Sequence, residues 1–221
     1  MGKKQSITQS IFFAVLCAAA VYSACSRTEP TIEYGFISLV YYQEKDKTTE
    51  RLSFFVIADD EDGIENLDEL FLYHDYEQLH WRIGSSDWMK LTHNEKTWIG
   101  SWSLALEGDE SIPRGQYRAV LINKGGERTQ RNFSFDPPAD NTYPFPSLNI
   151  ADGNYTVTSS YPQNRFICYD SSGKFISTIE LKSKSGAVSS LNIPSNVLSV
   201  ALWAEDTNYF SSALTEAASL R

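Results

Sequence analysis

Apolar side chains recur at every second position in short runs along this chain, and that two-residue period restricts its fold more than any other feature. Phe36, Ser38, Val40 and Tyr42 alternate with Ile37, Leu39 and Tyr41, and Leu52-Ser53-Phe54-Phe55-Val56-Ile57 continues the pattern. Successive side chains of an extended strand point to opposite faces, so the spacing predicts strands rather than helices. Further runs lie at 70–73, 79–83, 98–106, 116–122 and 128–135, the last two joined by a turn at Asn123-Lys124-Gly125-Gly126. Seven short strands in about 100 residues is the count expected of a Greek-key sandwich. The one helical spacing, Ile64, Leu67, Leu70 and Phe71, predicts a turn of helix before the next strand.

Four of the eight prolines fall between Pro137 and Pro146. Proline fixes φ and donates no backbone hydrogen bond, so this stretch reads as an extended connector at 137–146, after a first β domain at 32–136. A second strand-rich stretch follows at 147–221, with runs at 155–159, 165–169, 175–181, 188–193 and 197–203 and a turn at Asp170-Ser171-Ser172-Gly173. The expected fold is therefore all-β, two β-sandwich domains joined by a Pro-rich linker. Tyr143 and Phe145 are available to pack against either neighbour, which makes the contact between the domains the place to look for a groove. Independent domains on a solvated spacer are the alternative.

The N-terminus carries an address. Lys3 and Lys4 precede fourteen residues without a charge, Ile11 to Ala24, the length of a signal-peptide core and too short to span a bilayer. Residues 1–24 read as a leader. The segment ends in Val21-Tyr22-Ser23-Ala24-Cys25, which resembles the lipobox of bacterial lipoproteins, with Tyr22 standing where that family has an aliphatic residue. The resemblance implies cleavage before Cys25, lipidation of its thiol (palmitate being a typical acyl group), a tether at 25–31, and an exported protein anchored to a bacterial membrane, on its periplasmic face or at the cell surface. Ordinary cleavage near Ser23 or Ala24, releasing a soluble product, is the alternative. Cys168 then has no disulfide partner, and its place in Arg165-Phe166-Ile167-Cys168-Tyr169 is that of a small buried hydrophobe.

A second resemblance covers roughly 55–135. The order Phe55-Val56-Ile57-Ala58-Asp59-Asp60-Glu61-Asp62-Gly63-Ile64, a strand with Leu72 and Tyr73, then Pro113-Arg114-Gly115-Gln116-Tyr117 and the Asn123-Lys124-Gly125-Gly126 turn is similar to bacterial immunoglobulin-like domains. It implies that the first domain is immunoglobulin-like, and it implies shape and compartment rather than activity.

Charge and composition narrow the function. The chain has a net charge of −9, and losing Lys3 and Lys4 makes it more acidic, which argues against a nucleic-acid partner. Nine acids and no Lys or Arg lie between Asp59 and Glu77. A helix-loop-helix calcium loop with Gly63 at its sixth position would start at Ala58, which offers no ligand, so that motif is rejected. An interstrand calcium site on Asp59, Asp60 and Asp62 stays open beside a solvated acidic turn. Trp98 and Trp102 share a strand face and read as core, whereas Trp81 and Trp88 flank the polar turn Gly84-Ser85-Ser86-Asp87 and are the candidate platforms for a sugar ring. His74, His80 and His93 form no close metal pair, and neither a Gly-x-Ser-x-Gly turn nor a phosphate loop is present. The expectation is a non-enzymatic envelope protein without cofactor, bound to the membrane through its lipid and presenting β domains to an envelope protein. A carbohydrate-binding module is the alternative.

Overall fold

The structure is a computed structural model that describes residues 28–44, 47–137, 143–208 and 211–220. The lipobox with Cys25 lies outside the described residues, as does the middle of the proline-rich stretch, 138–142. The described chain is all-β. Its strands are β1 (Thr31–Glu44), β2 (Lys47–Asp59), β3 (Leu67–His74), β4 (Leu79–Gly84), β5 (Met89–His93), β6 (Lys96–Leu104), β7 (Gly115–Asn123), β8 (Arg128–Phe135), β9 (Ser147–Ala151), β10 (Asn154–Thr158), β11 (Gln163–Tyr169), β12 (Phe175–Glu180), β13 (Ser185–Ala187), β14 (Ser199–Asp206), β15 (Ser211–Leu214) and β16 (Ala218–Ser219).

They form three sheets. The largest has the order β12-β11-β14-β15-β1-β2-β6-β5, with β16 on β14; the others are β4-β3-β7-β8 and β13-β10-β9. Every pairing is antiparallel except β1 with β15, where Leu39 to Tyr42 run beside Ser211 to Leu214. That parallel pair joins strands from the two ends of the sequence, so one sheet runs through both the 32–136 and the 147–221 segments.

The burial pattern follows from what covers this sheet. On β2, Leu52, Ser53, Phe54, Phe55 and Val56 are all fully buried, because both faces of the strand are covered. Phe54 and Val56 face Leu70 and Leu72 of β3 and Tyr117 and Leu121 of β7 in the first core. Phe55 faces the other way, into a second core with Val40, Trp102, Ile167 and Trp203. A third core, with Tyr155, Phe166, Cys168 and Leu202, fills the space between β9–β10 and the β11–β14 region. The first core also takes in Tyr161, Ala204 and Ala213, so two of these three clusters draw on both segments.

The second core shows that the large sheet is curled. Trp102 on β6 and Trp203 on β14 are four strand positions apart, about 19 Å on a flat sheet at the usual strand spacing. Their rings nevertheless approach to 4.6 Å between centroids. The sheet therefore wraps around its aromatic face and brings its two ends, β5 and β12, towards each other.

Two local expectations differ from the structure. The turn of helix expected before the next strand is present, but it is a single 3-10 turn confined to Ile64–Asn66, and Leu67, Leu70 and Phe71 already belong to β3. The run 188–193 is a 3-10 turn at Val188–Ser190 and irregular chain beyond it. The described connector residues pack rather than project: Tyr143 and Phe145 lie against the first core, the Tyr143 ring is 4.6 Å from Tyr161, and its hydroxyl donates to Asp206 Oδ2 at 2.7 Å.

Candidate functional site

Where the ends of the curled sheet approach, they leave a groove of about 630 Å³. One wall is the β4–β5 turn and the start of β5, Ser85 to Lys90; the other is the β11–β12 turn and the start of β12, Ser172 to Ile176. Each wall is fixed by local chemistry. On the first, the Asp87 and Trp88 amides donate to the Gly84 carbonyl at 2.9 and 3.0 Å, and the Ser85 amide to Asp68 at 2.8 Å, closing the polar turn that the sequence predicts. On the second, one carboxylate oxygen of Asp170 accepts from the Ser172 amide, the Ser172 hydroxyl and the Lys174 amide, while Gly173 takes φ of 77°. These bonds, the Ser172 hydroxyl first, hold the Asp170 carboxyl below its ordinary pKa.

The lining of the groove is mixed: Trp88, Met89, Phe175 and Ile176 stand among serines and charged side chains. Met89 and Phe175 both pack on the second core. Trp88 is 7% exposed, and its indole N–H is buried without a partner among the described residues. Lys90 and Lys174 stand on opposite walls against the single carboxylate Asp87. The Lys90 ammonium is 2.6 Å from Glu65 in a solvent-exposed pair. Among the described residues no His or Cys lines the groove.

The residues singled out in the sequence are dispersed. Trp88 lines the groove, but Trp81 does not: it is half-buried, its N–H donates to the Ala105 carbonyl at 2.7 Å, and its ring lies 6.3 Å from Tyr117. Asp60 is buried, and both its oxygens accept hydrogen bonds, Oδ1 from the Asp62 amide and the Asn66 side chain, Oδ2 from Asn123. Burial opposes its ionisation, yet the bonds from Asn66, Asn123 and Asp62 outweigh it and hold the carboxyl below its ordinary pKa. Asn123 donates from the same amide to the Thr28 carbonyl, so Asp60 ties β1, β2 and β7 together at one end of the sandwich. Asp59 and Asp62 are exposed, and among the described residues no three His, Cys, Asp or Glu side chains converge as a metal-holding group. His74 is buried beside Tyr117 and the Arg114 carbonyl, and His80 stacks on Tyr73. Cys168 is fully buried in the third core, which raises its thiol pKa.

Sequence reading missed β5, the strand that forms half of the groove. Its five residues contain Lys90 and His93, and only Met89 and Leu91 alternate as apolar. A signal was present in Asn94-Glu95, a two-residue turn with both φ positive that closes the β5–β6 hairpin.

No family model and no curated protein matches the chain. Among solved structures it is similar to Tp47, the 47-kilodalton lipoprotein of Treponema pallidum, at 13% identity and a TM-score of 0.32 over 86% of this chain and 52% of that one. It is also similar to dimeric latent PorU from Porphyromonas gingivalis, at 11% identity and a TM-score of 0.34 over 86% of this chain and 20% of that one. The chain thus spans about half and one fifth of the lengths of these two. At such TM-scores a functional reading rests on the geometry of the chain itself.

Proposed function

We propose that the chain is a non-enzymatic lipoprotein of a bacterial cell envelope, anchored through Cys25, that presents two β-sandwich units, 32–136 and 147–221, to a protein partner. The observation that carries the interaction is the groove: two turns far apart in sequence are each rigidly hydrogen-bonded and together border a cleft of mixed apolar and polar lining at the ends of one sheet. The immunoglobulin-like reading of the first unit is supported by strand order. β1-β2-β6-β5 facing β4-β3-β7-β8 follows the A-B-E-D and C′-C-F-G pattern of that fold, and the Tyr117 hydroxyl donates to the Pro113 carbonyl four residues upstream at 2.7 Å, as a tyrosine corner does. A glycan ligand has less support, since Trp88 shows little of its ring and the Trp81 N–H is engaged.

The anchor rests on Ser23-Ala24-Cys25 and is tested by metabolic labelling with a fatty acid. Label on the wild type that disappears in Cys25→Ala is the expected result. An unlabelled wild type, or label that persists in the variant, sinks the anchor.

A further inference from the structure

We infer that the groove is a strand-acceptor site: an extended segment of a partner protein, bearing acidic side chains, adds itself between β5 and β12 and hydrogen-bonds to both. This rests on the protein-interaction reading above and names the partner's chemistry. The two walls are the terminal strands of a single sheet, and among the described residues neither pairs with any strand beyond its one neighbour. Curling brings these ends to one cleft without joining them, so the sheet approaches a barrel and stops one seam short of closure.

The hydrogen-bond parity of each hairpin shows which groups face the seam. In an antiparallel ladder, alternate residues direct both backbone groups to the neighbouring strand and the others direct them away. The two-residue turn Asn94-Glu95 makes His93 and Lys96 the closing bonded pair, so Leu91 and Met89 also bond to β6, while Lys90 and Thr92 point outward. On β12 the Leu181 amide donates to Asn164 at 3.0 Å, and counting back by two assigns Ile179 and Ser177 to β11 and leaves Glu180 and Thr178 outward. Both ends of the sheet thus carry outward N–H and C=O groups, Lys90 within the cleft and Thr92, Thr178 and Glu180 further along the two edges, and only another backbone supplies complementary donors and acceptors to two edges at once.

The side chains add selection. Met89 and Phe175, both packed on the second core, line the cleft and offer an apolar seat for alternate residues of an incoming strand. Among the residues that line the cleft, Lys90 and Lys174 face the single carboxylate Asp87, in contrast to a chain of net charge −9, while Glu65 and Asp170, which neighbour the two lysines, stand outside the lining. That contrast favours carboxylates on the incoming segment, and the exposed Glu65 that pairs with Lys90 is exchangeable for one.

The test uses phage-displayed random linear peptides selected on the full chain. Enrichment of sequences that alternate apolar and polar residues with Asp or Glu among the polar ones is expected. Lys90→Pro and Thr178→Pro each remove an outward N–H while leaving the ladder bonds in place, and each should weaken the enriched peptides about tenfold, the effect of losing an edge hydrogen bond. Lys90→Gln keeps the backbone donor and should lose less than Lys90→Pro. Hydrogen exchange on the unmodified chain gives a readout that does not depend on the variants folding: peptide should slow the Lys90, Thr92 and Thr178 amides. Absence of enrichment, peptides that bind either proline variant like wild type, or unchanged exchange at these amides would each overturn the strand-acceptor site. Glycan binding in the cleft in place of peptide would overturn it too. None of these outcomes alters the fatty-acid label on Cys25, so the anchor stands or falls separately.

Discussion

At the scale of the residue, Asp60 shows how an acidic run becomes structural. Its neighbours Asp59, Glu61 and Asp62 are solvated, while its own carboxylate is buried under three donors and ties the Asn123 turn to the start of β1. Removing an acceptor from such a network costs about 1–3 kcal/mol, so Asp60→Ala should lower stability by that order, read by denaturant unfolding. The pH dependence has a definite sign. Because the native pKa of Asp60 is depressed, its contribution is full above the unfolded value of about 3.9 and is lost as the pH falls through the native one. The gap between wild type and Asp60→Asn should therefore close in acid, and a gap that is constant down to the lowest accessible pH would show that ionisation of Asp60 is not the source. None of this was legible in the sequence, where Asp60 is one of nine acids; its partners Asn66 and Asn123 acquire meaning only when β2 and β7 meet in space.

At the scale of the element, legibility followed sequence separation. The strand 128–135 and the Asn123 and Asp170 turns were readable because short hairpins are set by local turn chemistry. The helical spacing of Leu67 and Leu70 misled for a definite reason: the pairing of β3 with β7 shifts register between Leu67 and Glu69, and that irregularity turns two residues three apart to the same core. The parallel β1–β15 pair left no local trace, since its partners lie at opposite ends of the chain. Gly100 belongs to this scale as well. A Cβ there would lie 2.7 Å from the Phe55 Cα and closer still to the Phe54 carbonyl oxygen, so β2 and β6 can pair in this register only across a glycine. Gly100→Ala should destabilise by about 1–3 kcal/mol or more through forced separation of these strands, visible as a lowered denaturation midpoint. A variant as stable as wild type would mean that the two strands have slack the pairing does not show.

At the scale of the whole molecule, the proline-rich stretch divides the sequence but not the burial. The faces carrying Phe55 and Trp102 from one segment and Ile167 and Trp203 from the other cover each other. Residues 28–136 expressed alone would expose that aromatic face and the β1 edge that β15 protects, and they should aggregate or bind a hydrophobic dye, whereas the full chain should unfold in one cooperative transition. Two separated calorimetric transitions, or a soluble, dye-silent fragment, would show that the segments are energetically independent.

The position of β1 has a mechanical meaning. It is the strand nearest the proposed anchor, and it lies inside the large sheet, paired with β2 along its length and with β15 over Leu39 to Tyr42. A pull transmitted from the proposed anchor would enter the sheet at Thr31, and its component along the strand axis would run across the rungs of both ladders. Load applied that way is shared by many bonds in shear, whereas a strand peeled from an edge yields one rung at a time. With a partner seated between β5 and β12, tension would pass through the width of the sheet before any strand could slide, and the chain would serve as a stiff coupling between the membrane and whatever it holds.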